Sequence, residues 1–228
     1  MSAAYTALLV IDVQRGILAI PNLSRREEID HALDATVLRI AGLIERARTA
    51  CVPVIYVQHD GGPGHRLEPD TSGWPIRSEI VPRPGERVIH KGACDAFFDT
   101  ALDAELAAAG IKQVVVSGCM TEYCIDTTVR RAVTLGYDVV LVADGHMTAD
   151  TDTLRFEQII AHHNALLDGF DAGKHEVRVC PSSEIRFTGC KYTSPNPQPR
   201  MEREGMRGAD HQQNHMFGYL SPEPTPEN

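Results

Sequence analysis

No apolar run in the 228 residues approaches the 18 or so needed for a helix to cross a bilayer. The opening stretch, MSAAYTALLVIDVQ, has no basic flank, and its apolar run meets Asp12 too soon for a secretory leader. Basic residues are in deficit as well: 22 Lys and Arg stand against 31 Asp and Glu, a net charge of -9. That balance repels phosphate backbones and anionic lipid, so neither nucleic acid nor a membrane surface is an expected partner. No G-x-G-x-x-G follows the first strand-like segment, which removes the usual support for dinucleotide binding, and no G-x-S-x-G serine elbow occurs. The six cysteines are scattered through a long, core-rich chain rather than crowded into a short one. They read as reduced thiols, and a cytoplasmic location is expected.

What is present is alternation. ALLVID (7–12) is a short apolar run of the kind a doubly buried strand shows. Ser24-Arg25-Arg26-Glu27 has the capping-box pattern, and Ile29, Leu33, Val37, Ile40 and Ile44 then recur at helical spacing. VPVIYVQ (52–58) is a second strand, and a loop rich in glycine and proline, HDGGPGHRLEPDTSGWPI, follows it. ERVIHK (86–91) is a third strand, succeeded by a helix through Leu102 and Leu106 that stops at Gly110. KQVVVSG, a helix near 121–135, YDVVLVAD, TLRFEQIIAHHNALL and HEVRVC continue the pattern. Strands alternating with helices imply βαβ units, so the fold class is α/β. The expectation is a three-layer α/β/α, Rossmann-like domain over residues 1–189 with a six-stranded, mostly parallel sheet. From residue 190 the character changes: the segment after Cys190 holds six of the 14 prolines and no periodic apolar pattern. Residues 190–228 read as a disordered tail, with docking through Met216, Phe217 and Tyr219 as the rival.

In open parallel sheets, ligands sit beyond the carboxyl ends of the strands. That rule selects Asp12, Gln58 with His59, Lys91, the loop 117–123 and Asp144. An acid, a lysine and a thiol are therefore gathered by topology. Cys119 falls in the turn after its strand and reads as a small inert residue. Cys124 falls in the first turn of the next helix, where unpaired N–H groups and the dipole favour thiolate. On position alone it is either a nucleophile or a buried small residue. Lys91 nearby would lower its pKa further. His162 and His163 read as core or contact residues, and Trp74 as a packing or a stacking residue over the site. His59, Asp60 and His65 include metal-ligand types but no standard spacing, and Cys119/Cys124 lack a second pair, so no metal is assigned. No cofactor is expected.

Three segments, LLVIDVQ, VIHKGACDAFF and SGCMTEYCIDTTVRRAVTLGYDVVLVAD, resemble the isochorismatase-like cysteine hydrolases, in that family's order and over about residues 5–185. The resemblance implies a triad of Asp12, Lys91 and Cys124 and a cis peptide bond between Cys119 and Met120. It also implies an oxyanion hole from the amides of Met120 and Cys124. By the same resemblance Gln14 and Phe97 line the pocket, and His59, Trp74 and Glu122 contact substrate. The implied reaction is hydrolysis of a C–N bond in a small amide, lactam or ureido compound through a Cys124 thioester. The nicotinamidase metal set of Asp-x-His after the second strand is replaced here by QHDGGPGH, so metal-assisted nicotinamide hydrolysis is not expected. The loop and IIAHHN are similar to a bacterial subgroup that includes streptothricin hydrolases, which open a cyclic amide. The alternatives are isochorismate-type C–O hydrolysis and a catalytically weak binding module acting through its tail. A homo-oligomer, dimer or tetramer, is expected by resemblance.

Overall fold

In the computed structural model, which describes residues 6–21 and 23–187, the strand-like segments assemble in the order β3-β2-β1-β4-β5-β7-β6. Here β1 is Thr6–Ile11, β2 Val54–His59, β3 Arg87–Lys91 and β4 Gln113–Cys119. β5 is Asp138–Met147, β6 Asp171–Ala172 and β7 His175–Cys180. All neighbours pair in parallel except β6 with β7. The six expected strands are all present, and the two-residue β6 adds a seventh at the edge.

Alternation along β1 splits the core, because successive side chains on a strand point to opposite faces. Leu8 and Val10 join the cluster under α1 (Arg26–Thr49), whereas Ala7, Leu9 and Ile11 join the one under α2 (Leu102–Ala108) and α3 (Asp126–Thr134). The helical stripe Ile29, Leu33, Val37, Ile40 and Ile44 is buried as its spacing requires. α4 (Phe156–Leu167) contributes Phe156 to the first cluster and Leu167 to the second.

Three local expectations are corrected. Ser24 does not cap α1: the cap position is Arg25, with no side-chain cap bond. Its guanidinium instead bridges Glu28, Asp150 and Glu157, tying the start of α1 to α4. β5 does not end at Asp144 but runs on to Met147, through a register shift opposite Val116–Gly118. Asp144 is thereby turned from the strand ends toward Ser182, whose amide it accepts at 2.7 Å. The helix after β4 begins as a π turn, Thr121–Ile125, before α3. The expected tail, 190–228, lies outside the described residues, with Cys190, Met216, Phe217 and Tyr219. Among the described residues no helix is long and apolar enough to cross a membrane.

Candidate active site

The strand order reverses between β1 and β4, and in such sheets the crevice beyond that switch point is where ligands bind. Asp12 leaves β1 with a positive φ of 52°, a left-handed conformation that Asp tolerates better than most residues. Gly118, near the end of β4, has φ 130°. A Cβ there would sit on the backbone of Ile11, so glycine is what lets β4 lie this close to β1. The Cys119–Met120 peptide bond is cis, and the chain then enters the π turn that carries Cys124.

Asp12 and Lys91 meet in this crevice with their side chains wholly buried, Oδ2 to Nζ at 2.7 Å. Nζ of Lys91 also donates to Sγ of Cys124 at 3.3 Å and to the carbonyl of Ala93 at 2.7 Å. Burial pushes the Asp12 carboxyl well above the usual carboxylate range, the charge of Cys124 adds to this, and Lys91 only partly offsets it. Burial alone would lower the Lys91 ammonium, but the charges of Asp12 and Cys124 outweigh it and the net shift is upward.

The thiol departs from expectation. Cys124 does not open an α-helix but sits in the π turn, and its pKa is raised, first by a hydrogen bond with Cys94 and then by burial. Lys91 and Asp12 pull the other way without prevailing. The exposed partner thiol, Cys94, is lowered to about 6 by the same bond. Asp12, whose proton affinity is raised, and the Cys124 thiol thus share the same Lys91 ammonium. Cys119 is fully buried and its pKa is pushed up by burial, as suits an inert residue.

Several of the other predicted residues are held by contacts within the protein. Gln14 is fully buried and its amide is committed to backbone: Nε2 donates to the carbonyls of His59 and Trp74 at 3.0 and 2.8 Å, and Oε1 accepts from the His59 amide. It clamps the loop to β1. Trp74 donates Nε1 to Asp60 at 2.8 Å and stacks on His90. Phe97 stacks on Tyr137 within the core cluster of α2 and α3. Glu122 accepts from Thr148 through Oε1 at 2.9 Å, while its buried Oε2 and the buried Nδ1 of His59 have no hydrogen-bond partner among the described residues. His59 is lowered to about 4 by burial and then by Lys91, so it is neutral at ordinary pH. His59 and His65 rings stand 5.4 Å apart, but Asp60 is held by Trp74 and His90. Among the described residues no group of three or more His, Cys, Asp or Glu side chains could hold a metal ion.

Three features were not foreseen. A cleft of about 300 Å³ opens beside Lys91, lined by Asp60, His90, Gly92, Ala93, Phe98 and Asp99. The hold of Thr128 on the Cys94 carbonyl, at 3.5 Å, is the second, since nothing in local spacing announces it. The third is His146, buried on β5, which links the π turn to α4. Nδ1 lies 2.9 Å from Oγ1 of Thr121 and Nε2 2.9 Å from Oδ1 of Asn164. Nδ2 of Asn164 donates to Ala143, so Oδ1 is the acceptor, Nε2 carries the hydrogen and Thr121 donates to Nδ1.

The isochorismatase domain model matches residues 6–167. Streptothricin hydrolase of Streptomyces noursei is 42% identical over 148 residues, covering 63% of this chain and 50% of that protein. The chain thus spans about half the length of the streptothricin hydrolases it matches. A ureidoacrylate amidohydrolase of Variovorax paradoxus is 28% identical over 174 residues, covering 63% of this chain and 69% of that one. Among solved structures, an isochorismatase from Pseudomonas putida KT2440 superposes with a TM-score of 0.70 at 30% identity, covering 80% of this chain and 92% of that one.

Proposed function

The chain belongs to the isochorismatase family, and from that premise we propose that it is a hydrolase cleaving a C–N bond of a small amide, lactam or ureido compound through a thioester at Cys124. The observation that carries this is the buried contact of Lys91 with both Asp12 and Cys124, at 2.7 and 3.3 Å. A carboxylate of raised proton affinity can take the thiol proton as the sulfur attacks a carbonyl. The Lys91 ammonium holds the resulting charges together. The amides of Met120 and Cys124 are assigned to the tetrahedral oxygen. Asp12 then returns its proton to the departing nitrogen, and with the amine gone it deprotonates the water that hydrolyses the thioester. No step needs a metal ion.

The names of two relatives support the same reading: one is an amidohydrolase of a ureido acid and the other a hydrolase of streptothricin.

The test is a panel of primary amides, lactams, ureido acids and isochorismate, followed by ammonia or amine release and by vinyl-ether cleavage. Release of ammonia or amine, lost by more than about a thousandfold in Cys124→Ala, is the expected result. Cleavage of isochorismate alone would replace C–N by C–O chemistry. Iodoacetamide labelling checks the nucleophile separately: Cys124 labelling no faster than the buried Cys119 would sink its assignment.

A further inference from the structure

β5 reaches the site by an irregular route. Leu141 pairs with Val116 and His146 with Gly118, so residues 142–145 stand opposite Ser117 alone. A bulge of this kind re-aims the side chains that follow it. A Cβ on Gly145 would strike the Val142 side chain, so glycine is what lets the bulge close on itself. Beyond it the chain presents His146 and Thr148, both buried, to the π turn that carries Cys124. Oγ1 of the buried Thr121 donates to Nδ1 of His146 at 2.9 Å, and Oγ1 of Thr148 donates to Oε1 of Glu122 at 2.9 Å. Asn164 on α4 closes the arrangement. Its Oδ1 accepts from Nε2 of His146 and its Nδ2 donates to the Ala143 carbonyl, inside the bulge, each at 2.9 Å. Both imidazole nitrogens are thereby committed, one as acceptor and one as donor, which makes the ring a strut and not an acid or base. Within the turn, the amides of Tyr123 and Ile125 share one acceptor, the Met120 carbonyl, at 3.2 Å each. That is the long end of the range for such bonds, so the turn takes its position from outside itself.

We propose that His146 is a positioning residue, which through Thr121 fixes the π turn and so aims the Cys124 sulfur and the amides of Met120 and Cys124 at the substrate carbonyl. The consequence for catalysis rests on the reading of Cys124 as nucleophile, but the hold on the turn does not. Loss of the Thr121 hydroxyl leaves Nδ1 of His146 buried without a donor and frees the turn to shift. A small shift slows chemistry more than it weakens substrate binding, because the amides act on charge that develops in the transition state.

Thr121→Val keeps the side-chain shape and removes the hydroxyl, whereas Thr121→Ser keeps the hydroxyl. These full-length variants are read by hydrogen exchange with mass spectrometry, and by kinetics on whichever amide, lactam or ureido acid of the panel the wild type hydrolyses. In Thr121→Val the peptide over 119–126 should exchange about tenfold faster, while peptides of β1 and β2 keep wild-type rates. kcat should fall about tenfold to a hundredfold with KM within about twofold, and Thr121→Ser should restore both readouts. His146→Leu should behave as Thr121→Val does, and the double variant should lose no more than either single one. The proposal is overturned if exchange in Thr121→Val matches the wild type, if it rises equally in β1 and β2, or if kcat is unchanged. Equal impairment in Thr121→Ser, or additive losses in the double variant, also overturn it. Should Thr121→Val be insoluble, Asn164→Ala cuts the chain at its far end and is judged by the same exchange and kcat outcomes. If the wild type hydrolyses no compound of the panel, the C–N reading fails, and exchange alone still decides whether His146 holds the turn.

Discussion

Asp12 and Lys91 meet at 2.7 Å across β2, which lies between their strands in the sheet, and neither side chain reaches solvent. Breaking a buried pair from one side leaves an uncompensated charge and typically costs about 3–5 kcal/mol. Lys91→Met should therefore lower stability on that order and abolish activity. The double change Asp12→Asn with Lys91→Met should regain much of the stability and none of the activity. Urea unfolding of the four proteins in a mutant cycle measures this, and strictly additive losses would disprove the coupling.

Acid should act through His146. Burial lowers its pKa to about 4, the charge of His163 adds to this, and the Asn164 bond and Asp144 oppose without prevailing. Between that value and the ordinary 6.5, the unfolded chain binds a proton that the folded one refuses. Its stabilising contribution is thus whole above about pH 6.5 and falls by about 3 kcal/mol as pH drops toward 4. His59, lowered to about 4 as well, adds to the slope, with its partial exposure reducing the effect. His146→Gln should flatten the dependence of urea stability on pH over that window; an unchanged slope would remove His146 from the account.

Gln14→Ala should cost about 1–3 kcal/mol, because the His59 amide and the part-buried carbonyls of His59 and Trp74 lose a partner, the latter keeping Gln58. Gln14→Glu should be no better, since a carboxylate cannot donate to the carbonyls of His59 and Trp74. Chemical denaturation of both variants checks the clamp, and a wild-type midpoint for Gln14→Glu would refute it.

Gly118→Ala should be among the most damaging single-methyl additions to the chain. The new Cβ would meet the Ile11 backbone in the sheet, and φ 130° is a conformation that alanine avoids. A loss of about 3 kcal/mol or more, seen as a lowered urea midpoint or as insoluble protein, is expected. By contrast Gly62, which has open space around it, should accept alanine with little change.

Local pattern was enough for much of this molecule. The apolar run ending at Asp12, the helical stripe from Ile29 to Ile44 and the alternation of strands and helices depend on residues close in sequence, and they specify a parallel α/β sheet. Given that sheet, the strand-end rule brings Asp12, Lys91 and the loop before Cys124 together without further information. Tertiary structure decided what each group experiences. β5 runs past Asp144 because a register shift opposite Gly118 lets it, and Arg25 replaces Ser24 at the start of α1 because Asp150 and Glu157 lie across from it. Gln14 is a clamp because two distant carbonyls come within its reach. The acidity of Cys124 was misjudged for the same reason. A helix start and a lysine are visible in the chain, whereas burial and the Cys94 thiol, which outweigh them, exist only once the loop after β3 is folded against α3. The sequence alone determined the sheet and the groups that would converge, since both follow from short-range periodicity. The surroundings of each group were decided by contacts between segments far apart in the chain, where burial and hydrogen bonding shift its proton affinity.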